Sequence, residues 1–297
     1  APLASLLSPM QVFIVLGTIG LYALVVGWQA AFLLVALLFF HELGHVYAMV
    51  RLGMKVRGVY FVPLLGAVTI PETLWKDRDA LAYTSLSGPL WGVLASVPIL
   101  AAYYLTGRTH EGLLEVVVLN AVLNLVNLYP ISPLDGARVL ACVFASVSPR
   151  LGLAVGAGVF LLTLIGAVFF GGLLLWILAL FGVLGLFETI SQYSAAVTAE
   201  KVRRLCPGGR TWTDDVTRLG DMLSPQSVEE YASTRSGGAP RRVGKWMRWQ
   251  QILGCEPMRA GRMVLYLSSY LSLAGALVAG LVAARDCALL QRFGLGF

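Results

Sequence analysis

Charged residues are scarce in this sequence of 297 residues. Asp, Glu, Lys and Arg make up 13% of the chain, whereas a soluble domain has about a quarter. Hydrophobic residues make up 58%. This balance excludes a soluble enzyme and a disordered chain, and it predicts an integral membrane protein with several spans of roughly 20 residues each.

Cysteine and histidine are also rare. The four cysteines are scattered without a C-x-x-C pair, which excludes a disulfide framework and does not favour a zinc knuckle.

The formal net charge of +6 would suggest nucleic acid in a soluble protein. In a membrane protein basic residues set the orientation instead, so no nucleic-acid partner is expected.

Seven apolar runs are long enough to cross a bilayer, and two very short connections, at Trp28 and Gly171, predict tight hairpins. We therefore expect an all-α polytopic membrane protein with about seven transmembrane helices. The runs lie at about 11–27, 29–50, 81–105, 112–128, 151–169, 171–190 and 263–284.

One stretch between the second and third runs has a different pattern. Residues 56–70 are rich in Val, Tyr, Phe and Ile, contain Pro63 and Gly66, and are too short to span. They predict a small membrane-associated β-hairpin or sheet with its turn at 63–66, dipping into the cytoplasmic face of the membrane.

The basic residues are unevenly shared between the two sides. Alternating the predicted spans places 19 of the 22 Lys and Arg on one side, which the positive-inside rule makes the cytoplasm. The first ten residues lack a basic region followed by a cleavage site, so no cleaved signal peptide is expected. The N-terminus is expected inside, and the C-terminus outside if the seventh helix spans.

The polar, Arg-rich segment 191–262 is the one sizeable aqueous piece, on the cytoplasmic side. Near its end, residues 245–249 combine cations and tryptophans as an interfacial anchor would. A flexible linker with incidental tryptophans is the alternative.

The second span contains the sequence HELGH at 41–45. His41 and His45 are four residues apart, so a helix presents both imidazoles on one face, where they can bind one cation. Glu42 lies beside them and can reach water as a general base without being a ligand. Zinc is the expected ion. The alternative is a pair of histidines satisfied by hydrogen bonds.

A catalytic zinc site needs a third protein ligand and one open position. His110 is predicted on the outer side of the membrane, whereas His45 and His41 lie roughly 9 and 15 Å below the cytoplasmic boundary. Glu72 falls in a polar stretch after the predicted hairpin and is a second-choice ligand.

Asp135 is the stronger candidate for the third ligand. Pro130 and Pro133 precede it, and two prolines so close together unwind the chain at the cytoplasmic end of the fourth span. Unwound backbone at membrane depth lines protein or a wet cavity. The alternative is that Asp135 caps a helix starting near Ala137.

Three asparagines, Asn120, Asn124 and Asn127, form a polar stripe on the fourth helix. For the first two, hydrogen bonding between helices is the preferred explanation. Asn127 lies nearest the prolines and could donate to a scissile carbonyl or its oxyanion.

These patterns resemble the site-2 protease family of intramembrane zinc metalloproteases. The resemblance rests on HELGH at 41–45 and NLYPISPLDG at 127–136, with support from FVPLLGAV at 61–68 and SGP at 87–89. Together these motifs cover about residues 29–150. The resemblance implies a prokaryotic plasma (inner) membrane location. The small depth of the histidines below the cytoplasmic boundary predicts that the active site opens to the cytoplasm.

The resemblance also implies roles for the site residues. His41, His45 and Asp135 would hold one zinc ion per chain, Glu42 would be the catalytic acid/base, and Asn127 would contact the substrate or oxyanion. The chain would divide into a first transmembrane helix (1–28), a catalytic transmembrane core (29–150), two further transmembrane helices (151–190), a polar cytoplasmic segment (191–262), and a last transmembrane helix with its tail (263–297).

The function expected from the resemblance is hydrolysis of a peptide bond in or near the transmembrane helix of a membrane-protein substrate, as in regulated intramembrane proteolysis. The other expected partner is the lipid bilayer, and a regulatory partner or homodimer stays open. The rivals are a metal transporter or metal-binding protein, for which the outer half offers little beyond Glu115, and an inactive relative that binds transmembrane helices.

Overall fold

The fold is that of a computed structural model, which describes residues 9–62, 66–72, 75, 77–205 and 257–284. The elements, in chain order, are α1 (Pro9–Val26), α2 (Trp28–Arg51), β1 (Val56–Val62), β2 (Gly66–Pro71), α3 (Arg78–Leu105), α4 (Glu111–Asn127), α5 (Asp135–Val147), α6 (Pro149–Phe170), α7 (Leu173–Leu205) and α8 (Ala260–Ala283).

Within the described ranges, five helices are long and apolar enough to cross a membrane: α2, α3, α6, α8 and the part of α7 at Leu173–Ser194. Their mean hydropathy runs from 1.5 to 2.5. The other two predicted spans are also helices, but α4 has 17 residues and α1 offers a shorter apolar stretch, Gln11–Leu24. The structure thus supports five spans, and the number seven stays a prediction.

Glycine and capping residues set the ends of several helices. Gly27, with φ of 83°, separates α1 from α2, and Gly171 and Gly172, with φ of 68° and 91°, separate α6 from α7. These positive angles are accessible to glycine because it has no Cβ. Both connections are as short as predicted. At the start of α6, Ser148 Oγ accepts a hydrogen bond from the N–H of Leu151 at 3.1 Å.

The predicted β-hairpin is present between α2 and α3. Strands β1 and β2 pair in antiparallel fashion, with Val62 opposite Gly66 at the closed end and Val56 opposite Pro71 at the open end. The predicted turn falls on residues 63–65, which lie outside the described part. The backbone N–H of Phe61 donates to Oε1 of Gln11 at 3.1 Å, which ties β1 to α1.

Helix α3 lies at the centre of the bundle and packs against α2, α4, α5 and α8. Its contact with α2 is close because a Cβ on Gly44 would lie 2.5 Å from the carbonyl oxygen of Ser87. Small residues allow helices in membranes to approach in this way. On the other side, Asn120 Nδ2 donates to the carbonyl of Gly92 and to Oγ of Ser96, both at 2.7 Å, so the preferred explanation for Asn120 is confirmed.

The helix of the sixth predicted span extends into the predicted polar segment. The sixth predicted span ended at 190, but α7 continues to Leu205, so the first part of segment 191–262 is helical. Residues 206–256, including the candidate anchor at 245–249, lie outside the described residues, as do 1–8 and 285–297.

Candidate metal centre

Three side-chain atoms from two helices form a small buried triangle. Nε2 of His41 lies 3.1 Å from Oδ2 of Asp135, and Nε2 of His45 lies 3.2 Å from the same oxygen. The two Nε2 atoms are 3.1 Å apart. All three residues are buried. The structure therefore brings together the three residues that the sequence suggested as ligands.

Asp135 reaches the histidines through the loop after α4. Residues 128–134 connect α4 to α5, and the helix-capping position of α5 is taken by Leu134, whose side chain makes no cap hydrogen bond. The capping alternative for Asp135 is therefore wrong, because Leu134 occupies the capping position and the carboxylate of Asp135 lies against the imidazoles. Gly136 is required next, since a Cβ there would collide with the carbonyl oxygen of Leu128.

The other ring nitrogen of each histidine is fixed by an acceptor. Nδ1 of His45 lies 2.8 Å from the carbonyl oxygen of Thr84, and Nδ1 of His41 lies 2.8 Å from Oδ1 of Asn124. The amide nitrogen of Asn124 donates to the backbone and side-chain oxygens of Asn120, both at 2.8 Å. Oδ1 of Asn124 is thus an acceptor, and in both neutral imidazoles the hydrogen lies on Nδ1.

This arrangement fits a divalent metal ion. With the hydrogens on Nδ1, two nitrogen lone pairs and one carboxylate oxygen face one another without a proton between them, which is unfavourable unless a cation lies among them. A tetrahedral zinc ion with ligands at 2.0–2.1 Å separates neighbouring ligand atoms by about 3.3 Å. The distances of 3.1–3.2 Å in the triangle are close to that value.

Gly88 of α3 keeps the space next to the triangle open. A Cβ at this position would lie 2.6 Å from Nε2 of His45 and 2.7 Å from Nε2 of His41. One turn further along α3, a Cβ on Gly92 would collide with the side chain of Asn124. The α3 surface beneath the site is therefore made of glycine, because any side chain would displace a donor atom or its support.

Glu42 lies beside the triangle but is held by the hairpin. Its side chain is buried, and its Oε2 accepts a hydrogen bond from Oγ1 of Thr69 in β2 at 2.6 Å. Donor atoms of His41, Glu42 and His45 lie within 4.8 Å of one another and could hold a metal ion. Because Asp135 approaches the histidines more closely, Glu42 is left next to the metal position with a carboxylate that can accept a proton.

The remaining candidates have partners or positions of their own. Asn127 is half-buried, and its amide donates to the carbonyl of Leu123 on its own helix at 3.0 Å. Glu72 is exposed at the open end of the hairpin, where its N–H donates to the carbonyl of Lys55 at 2.9 Å. His110 is exposed at the start of α4, about 21 Å along the helix from Asn124.

Sequence reasoning missed four residues that complete the site. Thr69 and Thr84 hold Glu42 and His45 by hydrogen bonds, Asn124 holds His41, and Gly88 leaves room for the metal. The asparagine stripe pointed to the bundle interior but not to a histidine. Thr84 acts through its backbone carbonyl, which any residue carries, so its side chain gives no signal in the sequence.

Comparison with known proteins finds a family that is similar to one segment of the chain. Residues 29–116 match the family model described as Peptidase family M50. The chain is also 26% identical over 122 residues to the zinc metalloprotease MJ0392 of Methanocaldococcus jannaschii, a match that covers 40% of this chain and 35% of that protein. The chain thus spans about a third of the length of the curated relative that it matches. The matched segment carries HELGH, the hairpin, α3 and the start of α4, so this part of the chain is similar to peptidase family M50, the site-2 protease family.

Proposed function

We propose that this integral membrane protein is a zinc metalloendopeptidase that cuts a membrane-protein substrate in or near its transmembrane segment. The proposal rests on one observation, the triangle of His41, His45 and Asp135 with the Glu42 carboxylate beside it. Both histidines lie in α2, which is long and apolar enough to span a bilayer. A substrate must therefore reach the site from the membrane.

His41, His45 and Asp135 would hold one zinc ion per chain. Zinc bound there would supply Lewis-acid chemistry, activating a water molecule and polarising the scissile carbonyl. The chain's contribution is to fix the three donors. Asn124 and Thr84 hold the two imidazoles by their Nδ1–H groups, and hydrogen bonds of this kind orient metal ligands and raise their basicity.

Glu42 is assigned the role of general base and acid. It would take the proton from the attacking water and return it to the leaving amine. The hydroxyl of Thr69 donates to Oε2 of Glu42 at 2.6 Å, which fixes the carboxylate and leaves Oε1 as the oxygen that we assign to the transferred proton. Thr69 is therefore a positioning residue for the base.

The hairpin offers an edge on which an extended substrate can lie. The N–H of Phe61 points out of the ladder towards Gln11, so Phe61 and its partner Ala67 form a pair without hydrogen bonds to each other. Hydrogen-bonded and non-hydrogen-bonded pairs alternate along an antiparallel ladder. Val59 and Thr69, two residues further along, therefore also form a pair without hydrogen bonds to each other. Ala67 and Thr69 thus turn their backbone groups outward from β2. We propose that the substrate pairs with this edge, beside Glu42.

A helical substrate must unwind before it can be cut. Its scissile amide is otherwise engaged in i to i−4 hydrogen bonds, so the substrate is expected to carry Gly, Pro or Asn near the cut. Asn127 is proposed as the contact to the scissile carbonyl or oxyanion. One of its two amide hydrogens bonds to Leu123, and the other remains for this role.

We place the site at the cytoplasmic face of a prokaryotic plasma membrane. Its histidines precede Arg51, the last residue of α2, by six and ten residues, and most Lys and Arg of the chain fall on that side of the predicted spans. Because these few residues of helix separate the site from the cytoplasmic end of α2, water would reach the zinc from the cytoplasm.

The test is cleavage of single-span membrane proteins co-expressed with the full chain. Glu42→Gln should abolish cleavage while the purified variant keeps its zinc, because the ligands are unchanged. Glu72→Gln is the matched control, since Glu72 is exposed at the far end of the hairpin, and it should cleave normally. Unaltered cleavage by Glu42→Gln would contradict the proposed base. Zinc uptake without any cleavage would favour the metal-transport or metal-binding alternative.

A further inference from the structure

Helix α7 carries an acidic side chain inside its candidate span. Glu188 lies within Leu173–Ser194, a stretch with mean hydropathy 2.3. Ionisable groups are costly in a bilayer, so those that occur there have partners and a function. Oγ of Ser132 donates to Oε2 of Glu188 at 2.6 Å, and Nε2 of Gln192 donates to Oε1 at 3.2 Å. Both carboxylate oxygens are therefore engaged.

Ser132 belongs to the loop that delivers the third metal ligand. It precedes Asp135 by three residues, and between them the N–H of Leu134 donates to the carbonyl of Ile131 at 3.0 Å. The chain from Ser132 to Asp135 is thus a tight turn, closed by a backbone hydrogen bond. A shift of Ser132 must move Asp135, because no flexible segment separates them.

Helix α7 touches this loop through its backbone. A Cβ on Gly182 would lie 2.7 Å from Cδ1 of Ile131, and a Cβ on Gly185 would lie 2.5 Å from Cβ of Ser132. Glu188 follows Gly185 by about one helical turn, on the same face. A buried apolar cluster also packs the loop against α7. It consists of Ile131, Leu134, Leu178 and Phe181.

We infer that Glu188 is a positioning residue for the metal centre, acting through Ser132 on Asp135. The inference rests on the proposed function. Metal ligands must be held to within about 0.5 Å of the productive geometry. Asp135 is the first residue of α5, directly after the loop, and is not part of a candidate span. The hydrogen bond between Ser132 and Glu188 attaches the loop before Asp135 to α7. A movement of α7 would therefore change the position of Asp135.

The test uses Co²⁺ bound to the purified full-length chain in detergent, because the visible spectrum of cobalt reports its coordination. Glu188→Ala and Ser132→Ala should each weaken Co²⁺ binding by about tenfold, a loss typical of outer-shell partners, and should alter the absorption band. Glu188→Gln keeps an acceptor oxygen for Ser132 and should show the normal Co²⁺ affinity and the normal absorption band. The double variant should be no worse than either single one. Leu184→Ala, on the exposed face of α7, is the control.

Unchanged spectra and affinity in Glu188→Ala, or losses that add in the double variant, would overturn the inference while leaving the protease proposal intact. Should Glu188→Ala fail to fold, Ser132→Ala removes the same bond from the loop side and decides the question. If the unaltered chain binds no Co²⁺, the metal centre itself is wrong and the inference falls with it.

Discussion

The amide oxygen of Asn124 lies 2.8 Å from Nδ1 of His41, so α4 holds the imidazole of α2 from the side opposite to its metal-facing nitrogen. Asn124 is in turn fixed by Asn120, which bonds to α3. Three helices therefore determine the orientation of one ligand.

Replacing Asn124 with alanine should weaken zinc binding by about 10- to 100-fold, because His41 loses the acceptor that fixes its ring and its tautomer. Competition with a coloured chelator measures this affinity. Asn127→Ala is the matched control on the same helix, since its amide bonds to its own helix. Equal zinc affinity in the two variants would show that Asn124 does not support the ligand.

Gly88→Ala should abolish zinc binding. The added methyl group would lie 2.6–2.7 Å from both Nε2 atoms, which is closer than van der Waals contact, so the imidazoles must rotate away from Asp135. Gly158→Ala places a methyl group in open space and should bind zinc normally. Metal analysis of both purified proteins measures their zinc content. A zinc-loaded Gly88→Ala protein would contradict the described geometry.

Thr69→Val should lower the cleavage rate by about tenfold at unchanged zinc content, because Glu42 loses the donor that orients its carboxylate. Thr69→Ser keeps the hydroxyl and should cleave at nearly the normal rate. The comparison requires rates measured at saturating substrate together with metal analysis. If valine and serine behave alike, the hydroxyl has no role in catalysis.

Asn127→Ala should lower cleavage by about 10²-fold, as loss of an oxyanion donor does, without loss of zinc. The readout is kcat of the purified enzyme on a single-span substrate. A normal kcat would remove Asn127 from the proposed mechanism.

The sequence predicted the centre of the site because its chemistry is visible in single residues. Histidines at i and i+4 must share a helix face, and prolines before Asp135 must end α4. The supporting residues gave no such signal. The contact of Thr69 with Glu42 depends on strand register, and the role of Gly88 depends on how closely α3 crosses α2, which no local pattern reveals.

The fold was predictable to a similar degree. Apolar runs located the described helices other than α5, which was expected only as a helix starting near Ala137. The two tight connections predicted at Trp28 and Gly171 are present, at Gly27 and at Gly171–Gly172. Composition did not show where α7 ends, because its polar continuation to Leu205 has no strong helix-breaking residue. Helix α5 begins at Asp135, two residues before the start expected near Ala137.

The most direct test of the account is the zinc content and zinc X-ray absorption spectrum of the purified chain. We predict one zinc ion per chain with two imidazole nitrogens and a carboxylate oxygen at about 2.0–2.1 Å. Glu42→Gln and His110→Ala should retain it, whereas Asp135→Ala should lose it. A chain without zinc, or zinc held equally well by Asp135→Ala, would contradict the central claim.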